Sequence, residues 1–387
     1  MQGRAALRDL VESADVAAVV AADVELDSLR EHVRAMGYGA KVACRAVDAS
    51  DGAALERLVC EGFDAVIDLL PSPFAPRVAA LAVRRGVHLV NTSYVSPEML
   101  SLGPEAEARG VAVLPEFGMD PGIDLVLLGE AVRGFDEVTD VVSYGAGIPE
   151  PEAADNPIRY KVSWSLEGVL RAYVRGARLV RDGALVEVAP DRQFLAEHVH
   201  EVEIEGVGRL EAYPNGDAVR FAELLGLDPA RLRSAARYSM RYPGHCGFWR
   251  AVVGLHLLDD APVVVDGVAV DRRRFLAAAL GPQLRYAARE RDLAIIRNEV
   301  EGVRGGKRER QVCQIVDRRD MRTGLTAMSR LAGFTASIGA QMVVRGVIAG
   351  RGLLSPVRDV PPGPFMGELQ RRGIAVSRTV LSIGQEP

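Results

Sequence analysis

Short apolar segments alternate with helical patterns over the first 115 residues, and this alternation constrains the fold more than any other feature. The predicted strands lie at 16–22, 41–47, 65–70, 87–91 and 111–114. The predicted helices between them lie at 25–36, 51–60, 74–85 and 97–109. Strands that alternate with helices in this way predict an α/β fold with a doubly wound parallel sheet. Such sheets bind their ligands at the carboxyl ends of the strands.

The chain opens on a segment that is typical of a dinucleotide-binding turn and helix. Gly3 and Arg4 begin an amphipathic helix, and Gly3 stands where the third glycine of a G-x-G-x-x-G turn is expected. Asp23 follows about 20 residues later, where the fold needs an acid for the ribose hydroxyls. The first strand and the first two glycines of this fingerprint are absent from the sequence. We therefore predict a Rossmann-type parallel sheet that lacks its first strand, and weak dinucleotide binding by the polypeptide as written.

Further candidate cofactor-binding residues follow the later strands. Asp48 comes after the second predicted strand, and Leu70 and Pro71 come at the end of the third. Asp48 has an alternative role as the cap of the next helix. No arginine follows closely after Asp23 in the sequence. The Asp23 carboxylate would also repel the 2′-phosphate of NADP. We therefore predict NAD as the cofactor, with NADP as the alternative.

A different pattern begins near residue 135. Strand patterns occur at 138–147, 198–212 and 233–241, and hairpins are predicted at 263–270 and around residues 305–306. Mostly antiparallel strands with helices between them predict an inserted α+β domain. A long helix of small apolar residues at 324–350 is expected to return to the first domain. The predicted domains are a dinucleotide-binding domain at 1–120, an α+β substrate domain at 121–323 and a helical segment at 324–387.

Composition and charge argue against several classes of function. The formal net charge of -5 and the lack of a basic stripe argue against a nucleic-acid partner. No apolar run reaches about 18 residues and no secretory leader is evident, so we expect a cytoplasmic protein without a membrane partner. The four cysteines are scattered, which predicts a reducing compartment. His198 and His200 share a strand face without a third ligand, so no metal is predicted.

Five segments resemble the saccharopine dehydrogenase-like oxidoreductases, and within them the lysine 6-dehydrogenase type, in the family's own order. They are GMDPGID at 118–124, KVSWSLEGVL at 161–170, EAYPNGD at 211–217, RYPGH at 241–245 and TAMSR at 326–330. The resemblance implies an NAD(P)-dependent enzyme that oxidises a C–N bond of an amino acid. Saccharopine-cleaving members carry an arginine where this chain has Gly216, and its absence favours a smaller substrate such as lysine.

The resemblance implies three catalytic candidates: His245, Tyr242 and Asp120. The substrate amine must be neutral before hydride leaves, and histidine is the side chain whose ordinary pKa lies nearest neutrality. Tyr242 is expected to assist by hydrogen bonding. Asp120 and Pro121 predict a helix start, and the carboxylate would also attract a substrate ammonium. As alternatives, His245 caps a helix and Tyr242 belongs to the core.

Four residues are candidates for substrate binding: Arg241, Glu167, Ser163 and Trp164. The planar guanidinium of Arg241 suits a carboxylate, and a surface ion pair is its alternative role. Glu167 would bind an amino group, or it is a first-turn acid favoured by the helix dipole. Ser163 and Trp164 precede the same helix, and Trp164 either lines the substrate or packs in the core.

Other functions stay open from the sequence alone. The incomplete fingerprint supports a catalytically silent family member that acts as a binding or scaffold protein. A carboxynorspermidine-type dehydrogenase is a further alternative. For the leading hypothesis we expect a small-molecule amino-acid substrate and a homo-oligomer that forms through the α+β domain. If His245 is not the base, the candidates are Asp120, Glu167 and Tyr242.

Overall fold

The computed structural model describes residues 2–384, and the chain divides into two compact units. The first unit contains residues up to 126 together with 329–374. The second contains 127–328 and the residues from 375 onward. Between residues 2 and 384 no helix is both long enough and apolar enough to cross a membrane.

The amino-terminal part of the first unit follows the predicted alternation. Its elements are α1 (Gln2–Glu12), β1 (Val19–Asp23), α2 (Leu26–Ala35), β2 (Val42–Ala46), α3 (Gly52–Val59), β3 (Ala65–Asp68), α4 (Ala75–Arg85), β4 (His88–Asn91), α5 (Pro97–Ser101), α6 (Gly103–Ala108) and β5 (Ala112–Leu114). Every ladder among these strands is parallel, which confirms the predicted α/β fold. The single helix predicted at 97–109 is instead two short helices, because Pro104 cannot continue the first one.

The parallel strands form two separate sheets. β1 pairs with β2, whereas β3, β4 and β5 belong to a second sheet. Within residues 2–384 neither β1 nor β3 has a neighbour on its other edge. Residues 19–21 of β1 and 65–67 of β3 are consequently only half-buried, whereas Leu89 and Val90 of β4 are fully buried. The first strand of a dinucleotide-binding fingerprint would lie between these two edges.

The second unit is built on a large mixed sheet. Its elements are α7 (Ile123–Arg133), which begins in the first unit, and β6 (Glu137–Pro149), α8 (Leu166–Ala172), β7 (Ala177–Arg181), β8 (Ala184–Val188), β9 (His200–Ile204), β10 (Gly208–Pro214), α9 (Ala218–Leu224), β11 (Ser234–Arg241), α10 (His245–Gly254), β12 (Val263–Val265), β13 (Val268–Val270), α11 (Arg272–Leu280), β14 (Asp292–Arg304) and β15 (Lys307–Arg318). The main path runs β15-β14-β6-β11-β10-β9, and only the pair of β6 and β11 is parallel. The predicted α+β architecture is confirmed.

Turn residues explain where the strand predictions succeeded and failed. The predicted hairpins are present, β12 with β13 and β14 with β15. The single strand predicted at 198–212 is instead the hairpin β9–β10, whose turn contains Gly206 at a φ of +78°. Glycine tolerates this left-handed conformation without steric cost. The hairpin β7–β8 was not predicted, although Asp182 and Gly183 form its turn.

The carboxyl-terminal segment contributes to both units. Its elements are α12 (Ala327–Val344), β16 (Gly352–Leu353), α13 (Pro356–Asp359), α14 (Pro362–Arg371) and β17 (Ser377–Ser382). α12 packs closely on α1, since a Cβ on Gly333 would lie 2.8 Å from the Cβ of Ala5 and 2.9 Å from the nitrogen of Ala6. β16 extends the sheet beside β5, and β17 pairs with β15. The end of the described chain is therefore a strand of the second unit, which the sequence did not predict.

A buried charge network fixes α1 within the first unit. Asp9 accepts hydrogen bonds from the Nε and Nη2 atoms of Arg372, at 2.5 and 2.9 Å. Ser337 and Gln341 of α12 donate to the same carboxylate, at 2.6 and 3.0 Å. Four donors compensate the burial of this charge, which would otherwise be costly. The hydrogen bonds of Asp9 therefore hold the polar face of α1, in addition to the packing of its apolar face.

Candidate active site

The connection between β11 and α10 places Arg241 and His245 close together. β11 ends at Arg241 and α10 begins at His245, and the turn between them uses Gly244 at a φ of +95°. Glu211 of β10 caps α10, because its two oxygens accept from the nitrogens of Gly244 and Cys246 at 2.8 and 2.9 Å. The alternative role of His245 as the helix cap is therefore wrong.

Arg241 is a buried cation that forms no ion pair with any carboxylate of residues 2–384. Its Nη1 donates to the carbonyl of Met240 at 2.7 Å, and its Nε has no hydrogen-bond partner within the described chain. Its guanidinium carbon lies 4.8 Å from the ring centroid of Tyr160 and 5.8 Å from that of Tyr213. Burial opposes the charge of Arg241, and its guanidinium nevertheless stays protonated. The predicted alternative, a surface ion pair, is wrong.

His245 is enclosed, with 1% of its surface exposed. Its Nδ1 lies 3.3 Å from the carbonyl oxygen of Ile158, and its Nε2 lies 2.8 Å from the hydroxyl of Tyr173. Because a carbonyl only accepts, we assign the ring proton to Nδ1, so Nε2 accepts from Tyr173. Burial, and secondly the charge of Arg241, hold the pKa of His245 well below its ordinary value. This neutral ring orients Tyr173, and its surroundings do not favour the predicted role of a base that titrates near neutrality.

Aromatic side chains complete the surroundings of Arg241. Burial raises the pKa values of Tyr160, Tyr173 and Tyr213, so all three stay protonated. The ring of Trp249 lies 4.6 Å from that of Tyr173, and its Nε1 has no partner among residues 2–384. A guanidinium with neutral phenol donors suits a bound carboxylate. We call these five residues, Arg241, Tyr160, Tyr173, Tyr213 and Trp249, the Arg241 cage.

Tyr242 and Ser163 are buried in the same unit. The Tyr242 hydroxyl donates to the carbonyl of Pro149 at 2.9 Å, and burial raises its pKa to about 12. This environment favours the core alternative for Tyr242. Ser163 resembles a ligand-binding residue more closely, because its buried Oγ has no partner within residues 2–384 and lies 3.2 Å from where a Cβ on Gly147 would stand.

Trp164 and Glu167 lie at the start of α8 and face solvent. Trp164 is 41% exposed, and its ring covers Gly168 so closely that a Cβ there would collide with it. The core alternative for Trp164 is therefore wrong. Glu167 is exposed and lies in the first turn of α8, where a negative charge is favoured by the helix dipole. Their binding roles stay predictions.

The segment at 118–124 does not start a helix at Asp120. The Asp120–Pro121 peptide bond is cis, and α7 begins at Ile123. Asp124 accepts a hydrogen bond from the nitrogen of Gly122 at 2.7 Å, and burial raises its pKa to about 7. The predicted capping role of Asp120 is therefore wrong, whereas its attraction for a substrate ammonium stays a prediction.

The predicted cofactor residues Gly3, Arg4 and Asp23 lie in α1 and β1. Gly3 and Arg4 are exposed in the first turn of α1, and nothing lies within 4 Å of where a Cβ on Gly3 would stand. Asp23 ends β1, is exposed, and accepts a hydrogen bond from the nitrogen of Glu25 at 3.0 Å. The carboxylate is therefore exposed at the carboxyl end of the strand, and its contact with a cofactor stays a prediction.

Asp48, Leu70 and Pro71 follow strands β2 and β3, and all three lie in loops. Asp48 accepts from the nitrogen and the hydroxyl of Ser50 at 2.8 and 2.7 Å, which lowers its pKa. Asp51 caps α3 instead, so the alternative role of Asp48 as the helix cap is wrong. Leu70 and Pro71 are exposed, and their contact with a cofactor stays a prediction.

Two buried polar residues at this sheet edge were not selected from the sequence. Asp68 ends β3, Asn91 ends β4, and the two are neighbours in the parallel ladder. Asp68 Oδ1 accepts from the nitrogen of Leu70 at 3.0 Å, but Asp68 Oδ2 and Asn91 Nδ2 have no partner within residues 2–384. Orphaned buried polar atoms at the carboxyl ends of parallel strands fit a polar ligand such as a dinucleotide. The sequence signal that could have identified Asp68 is an acidic residue at the end of an apolar strand.

Replacing Asp68 with asparagine is expected to stabilise the protein above pH 6. Burial raises the pKa of Asp68 to about 6, from 3.8, so folding favours the protonated acid. The folded state therefore loses stability as the pH rises from about 4 to 6, by about 3 kcal/mol in all. Asparagine removes that loss. Chemical denaturation at several pH values between 3.5 and 7.5 measures the free energy of unfolding of both proteins. We expect the two free energies to differ little at the acid end of this range.

Asp64→Asn is the matched control for Asp68→Asn. Asp64 is an exposed acid at the other end of the same strand, so its replacement should change stability by less than about 0.5 kcal/mol at any pH. An Asp68→Asn protein that is no more stable than the parent at pH 7.5 would contradict the assignment of a costly buried charge.

Two family models together cover nearly the whole chain. Residues 1–114 match the model described as the saccharopine dehydrogenase NADP binding domain, and residues 118–374 match the saccharopine dehydrogenase C-terminal domain. The chain belongs to the saccharopine dehydrogenase family. The resemblance to the saccharopine dehydrogenase-like oxidoreductases is thus confirmed, together with the Rossmann-type fold and the class of dinucleotide-dependent oxidoreductase, whereas the lysine 6-dehydrogenase type is not.

Known members of the family are similar over most of this chain. Saccharopine dehydrogenase [NADP(+), L-glutamate-forming] of Schizosaccharomyces pombe is 28% identical in an alignment 405 positions long, which covers 87% of this chain and 88% of that protein. The mitochondrial alpha-aminoadipic semialdehyde synthase of Mus musculus is 28% identical over 385 residues, and the match spans 41% of its length. Apo saccharopine dehydrogenase (L-Glu forming) from Saccharomyces cerevisiae superposes with a TM-score of 0.84 at 25% identity, over 98% of both chains.

Proposed function

We propose that this protein oxidises a C–N bond of an amino acid whose carboxylate binds to Arg241. The observation that carries the proposal is the buried guanidinium without a carboxylate partner in the described chain, surrounded by protonated tyrosines. A buried charge that finds no partner within the fold is costly, so a bound anion compensates for it. A nicotinamide, when bound, would accept the hydride, while the protein's own residues hold and orient the substrate.

Saccharopine, a secondary amine that carries several carboxylates, is the substrate we favour. The related fission yeast enzyme is named for the release of L-glutamate. The argument for lysine from Gly216 loses its force, because Arg175 Nη2 lies 3.9 Å from where a Cβ on Gly216 would stand. The same nitrogen lies 2.5 Å from Asn215 Oδ1. A guanidinium is therefore present beside the EAYPNGD motif, although it comes from a different segment. Lysine is the second candidate substrate.

Initial-rate measurements with saccharopine and with lysine, each with NADP and with NAD, test this proposal. We expect saccharopine to be oxidised with release of glutamate, and lysine to react poorly. Oxidation of lysine alone would instead support the lysine 6-dehydrogenase alternative. Binding of a dinucleotide without turnover of either amine would favour a silent member of the family.

Asp23 leads us to propose that this chain prefers NAD, although the matched domain is described as NADP-binding. In a form of the protein that binds either cofactor, Asp23→Ala is expected to weaken NAD binding by about 10-fold, because a charge-assisted hydrogen bond to the ribose is lost. The affinity for NADP should stay the same or improve, since repulsion of the 2′-phosphate is removed. Titration of both cofactors by calorimetry measures the ratio, with the fully exposed Asp27→Ala as control. An unchanged NAD/NADP ratio would reject the assignment.

We also propose that the protein works in a reducing compartment such as the cytoplasm. Cys44, Cys60, Cys246 and Cys313 are all free thiols. Disulfides persist in oxidising compartments and are rare in the cytoplasm. Thiol titration of the unfolded protein, purified without reductant, is expected to find four thiols.

A further inference from the structure

The segment at 154–165 carries several residues of the candidate site, yet it contains no helix and no strand. Tyr160 belongs to the Arg241 cage. Ser163 and Trp164 are candidates for substrate binding. An irregular segment has no ladder or helical hydrogen bonds to fix its path, so its backbone and side chains depend on other contacts. The positions of these three side chains therefore depend on what holds the segment.

Lys161 lies within this segment and is a buried cation. It is 4% exposed, and its Nζ lies 2.7 Å from Glu290 Oε1 and 2.9 Å from Asp155 Oδ1. Burial opposes the charge, but hydrogen bonds to the two carboxylates outweigh it and raise the pKa of Lys161 above its ordinary value. A buried ammonium with two such partners is strongly held, because leaving them would strand an uncompensated charge. We call Lys161, Asp155 and Glu290 the Lys161 clamp.

Glu290 is itself fixed to the large sheet by its other atoms. Its Oε2 accepts from the nitrogen of Ala287 at 2.7 Å, and its carbonyl accepts from Nη1 of Arg319 at 2.8 Å. Arg319 comes directly after β15, so the clamp connects the irregular segment to that sheet. The nitrogen of Val162 adds a hydrogen bond to the carbonyl of Leu284 at 2.8 Å. The segment is thereby tied to the rest of its unit at Lys161 and at the next residue.

The residues on either side of Lys161 lie at the candidate site. The ring of Tyr160 lies 4.8 Å from the guanidinium carbon of Arg241. The buried Oγ of Ser163 lies 3.2 Å from where a Cβ on Gly147 would stand, beside the end of β6. Groups that bind a reacting substrate must be held accurately, since a misplacement of about 1 Å costs up to about 100-fold in rate. A fixed point between these two residues would supply that accuracy.

We propose that Lys161 is a positioning residue for substrate binding. The Lys161 clamp fixes Tyr160, Ser163 and Trp164 in the places from which they contact the substrate. This inference rests on the function proposed above, because its substrate is the amino acid whose carboxylate binds to Arg241. Lys161 itself is paired with two carboxylates of the fold, so it holds the segment and not the substrate.

Trp164 reports on the segment, because the two tryptophans of the chain differ strongly in exposure. Trp164 is 41% exposed and its ring lies against Gly168, whereas Trp249 is 1% exposed. Acrylamide should therefore quench mainly Trp164, and a Trp164→Phe protein should lose most of the quenching. If the segment loosens, Trp164 leaves Gly168 and becomes almost fully exposed, so its quenching constant should rise about 2-fold.

Lys161→Met combined with Glu290→Gln tests the proposal without leaving an unpaired buried charge. We expect this double variant to fold, with the far-ultraviolet circular dichroism of the parent. The acrylamide quenching of Trp164 should rise about 2-fold. The KM of the amino-acid substrate should rise about 10-fold with little change in kcat, because the misplaced groups act in binding.

Arg233→Met is the matched control for the double variant. Arg233 also lies between two carboxylates of the same unit, those of Asp140 and Glu301. Asp140 lies near the start of β6, whereas the Lys161 clamp acts beside the end of that strand. Arg233→Met should lower the melting temperature, since it breaks a partly buried charge network. It should change neither the quenching of Trp164 nor the KM.

The quenching measurement requires no substrate, so it separates a failure of the clamp from a failure of the proposed function. Unchanged quenching in the double variant would overturn the proposal whatever its activity. Raised quenching with the KM of the parent would assign the clamp to the fold alone. A KM that rises as much in Arg233→Met would show a general effect of lost stability, and it would also overturn the proposal. If the parent oxidises neither saccharopine nor lysine, the proposed function fails, and quenching alone decides whether the clamp holds the segment.

Discussion

Arg241→Leu is expected to raise the KM of the amino-acid substrate by about 100-fold or more, because truncating one partner of a buried charge pair costs about 2–5 kcal/mol. The effect should fall mainly on KM, since the contact to the carboxylate exists before and during the reaction. Arg241→Lys should lose less, because lysine keeps the charge but offers no bidentate fork. Steady-state kinetics with varied substrate at saturating cofactor measure both variants.

The stability of the same variants separates a binding arginine from a structural one. Arg241 is buried without an ion pair in the described chain, so its replacement by leucine removes an uncompensated charge. We expect a melting temperature that is unchanged or higher in the absence of ligand. Arg209→Leu, which removes an exposed arginine of β10 paired with Glu201, should alter neither the melting temperature nor the KM of the substrate. A strongly destabilised Arg241→Leu protein with a normal KM would assign Arg241 to the fold.

Local signals were sufficient for most of the fold. The alternation of strands and helices predicted β1 to β5 because parallel strands are apolar along their whole length. Asp266-Gly267 and Gly305-Gly306 predicted two hairpins because these dipeptides favour left-handed turns. β17 was not predicted, because all six of its residues are exposed and its pairing with β15 joins distant parts of the chain.

The candidate site could be predicted only where neighbours in sequence are neighbours in space. Arg241 and His245 are four residues apart across one turn, so both were selected. Tyr160, Tyr173 and Trp249 were not, because different elements bring them to Arg241, and an isolated aromatic residue usually indicates core. The predicted capping roles failed for a similar reason, since Glu211 caps α10 from another strand.

His245→Ala is expected to lower kcat/KM by about 10- to 100-fold without changing the shape of its pH profile between pH 6 and 8. The alanine leaves the buried Tyr173 hydroxyl without its acceptor, a loss of about 1–3 kcal/mol, and Tyr173 in turn contacts Arg241. The profile should keep its shape because burial holds the pKa of His245 well below its ordinary value, so the ring does not titrate in this range. Rates measured across this pH range test both statements.

His245→Gln distinguishes a positioning residue from a base. The glutamine amide oxygen can accept from Tyr173, but the side chain does not titrate, so a positioning role predicts recovery of most of the activity lost with alanine. His256→Ala, which removes an exposed histidine beyond the end of α10, is the control and should behave like the parent. A general base typically contributes about 10²–10⁴-fold, and glutamine cannot replace it. If His245→Gln is as inactive as His245→Ala and both lose a titration near neutrality, His245 is the base, and its burial must be relieved when substrate binds.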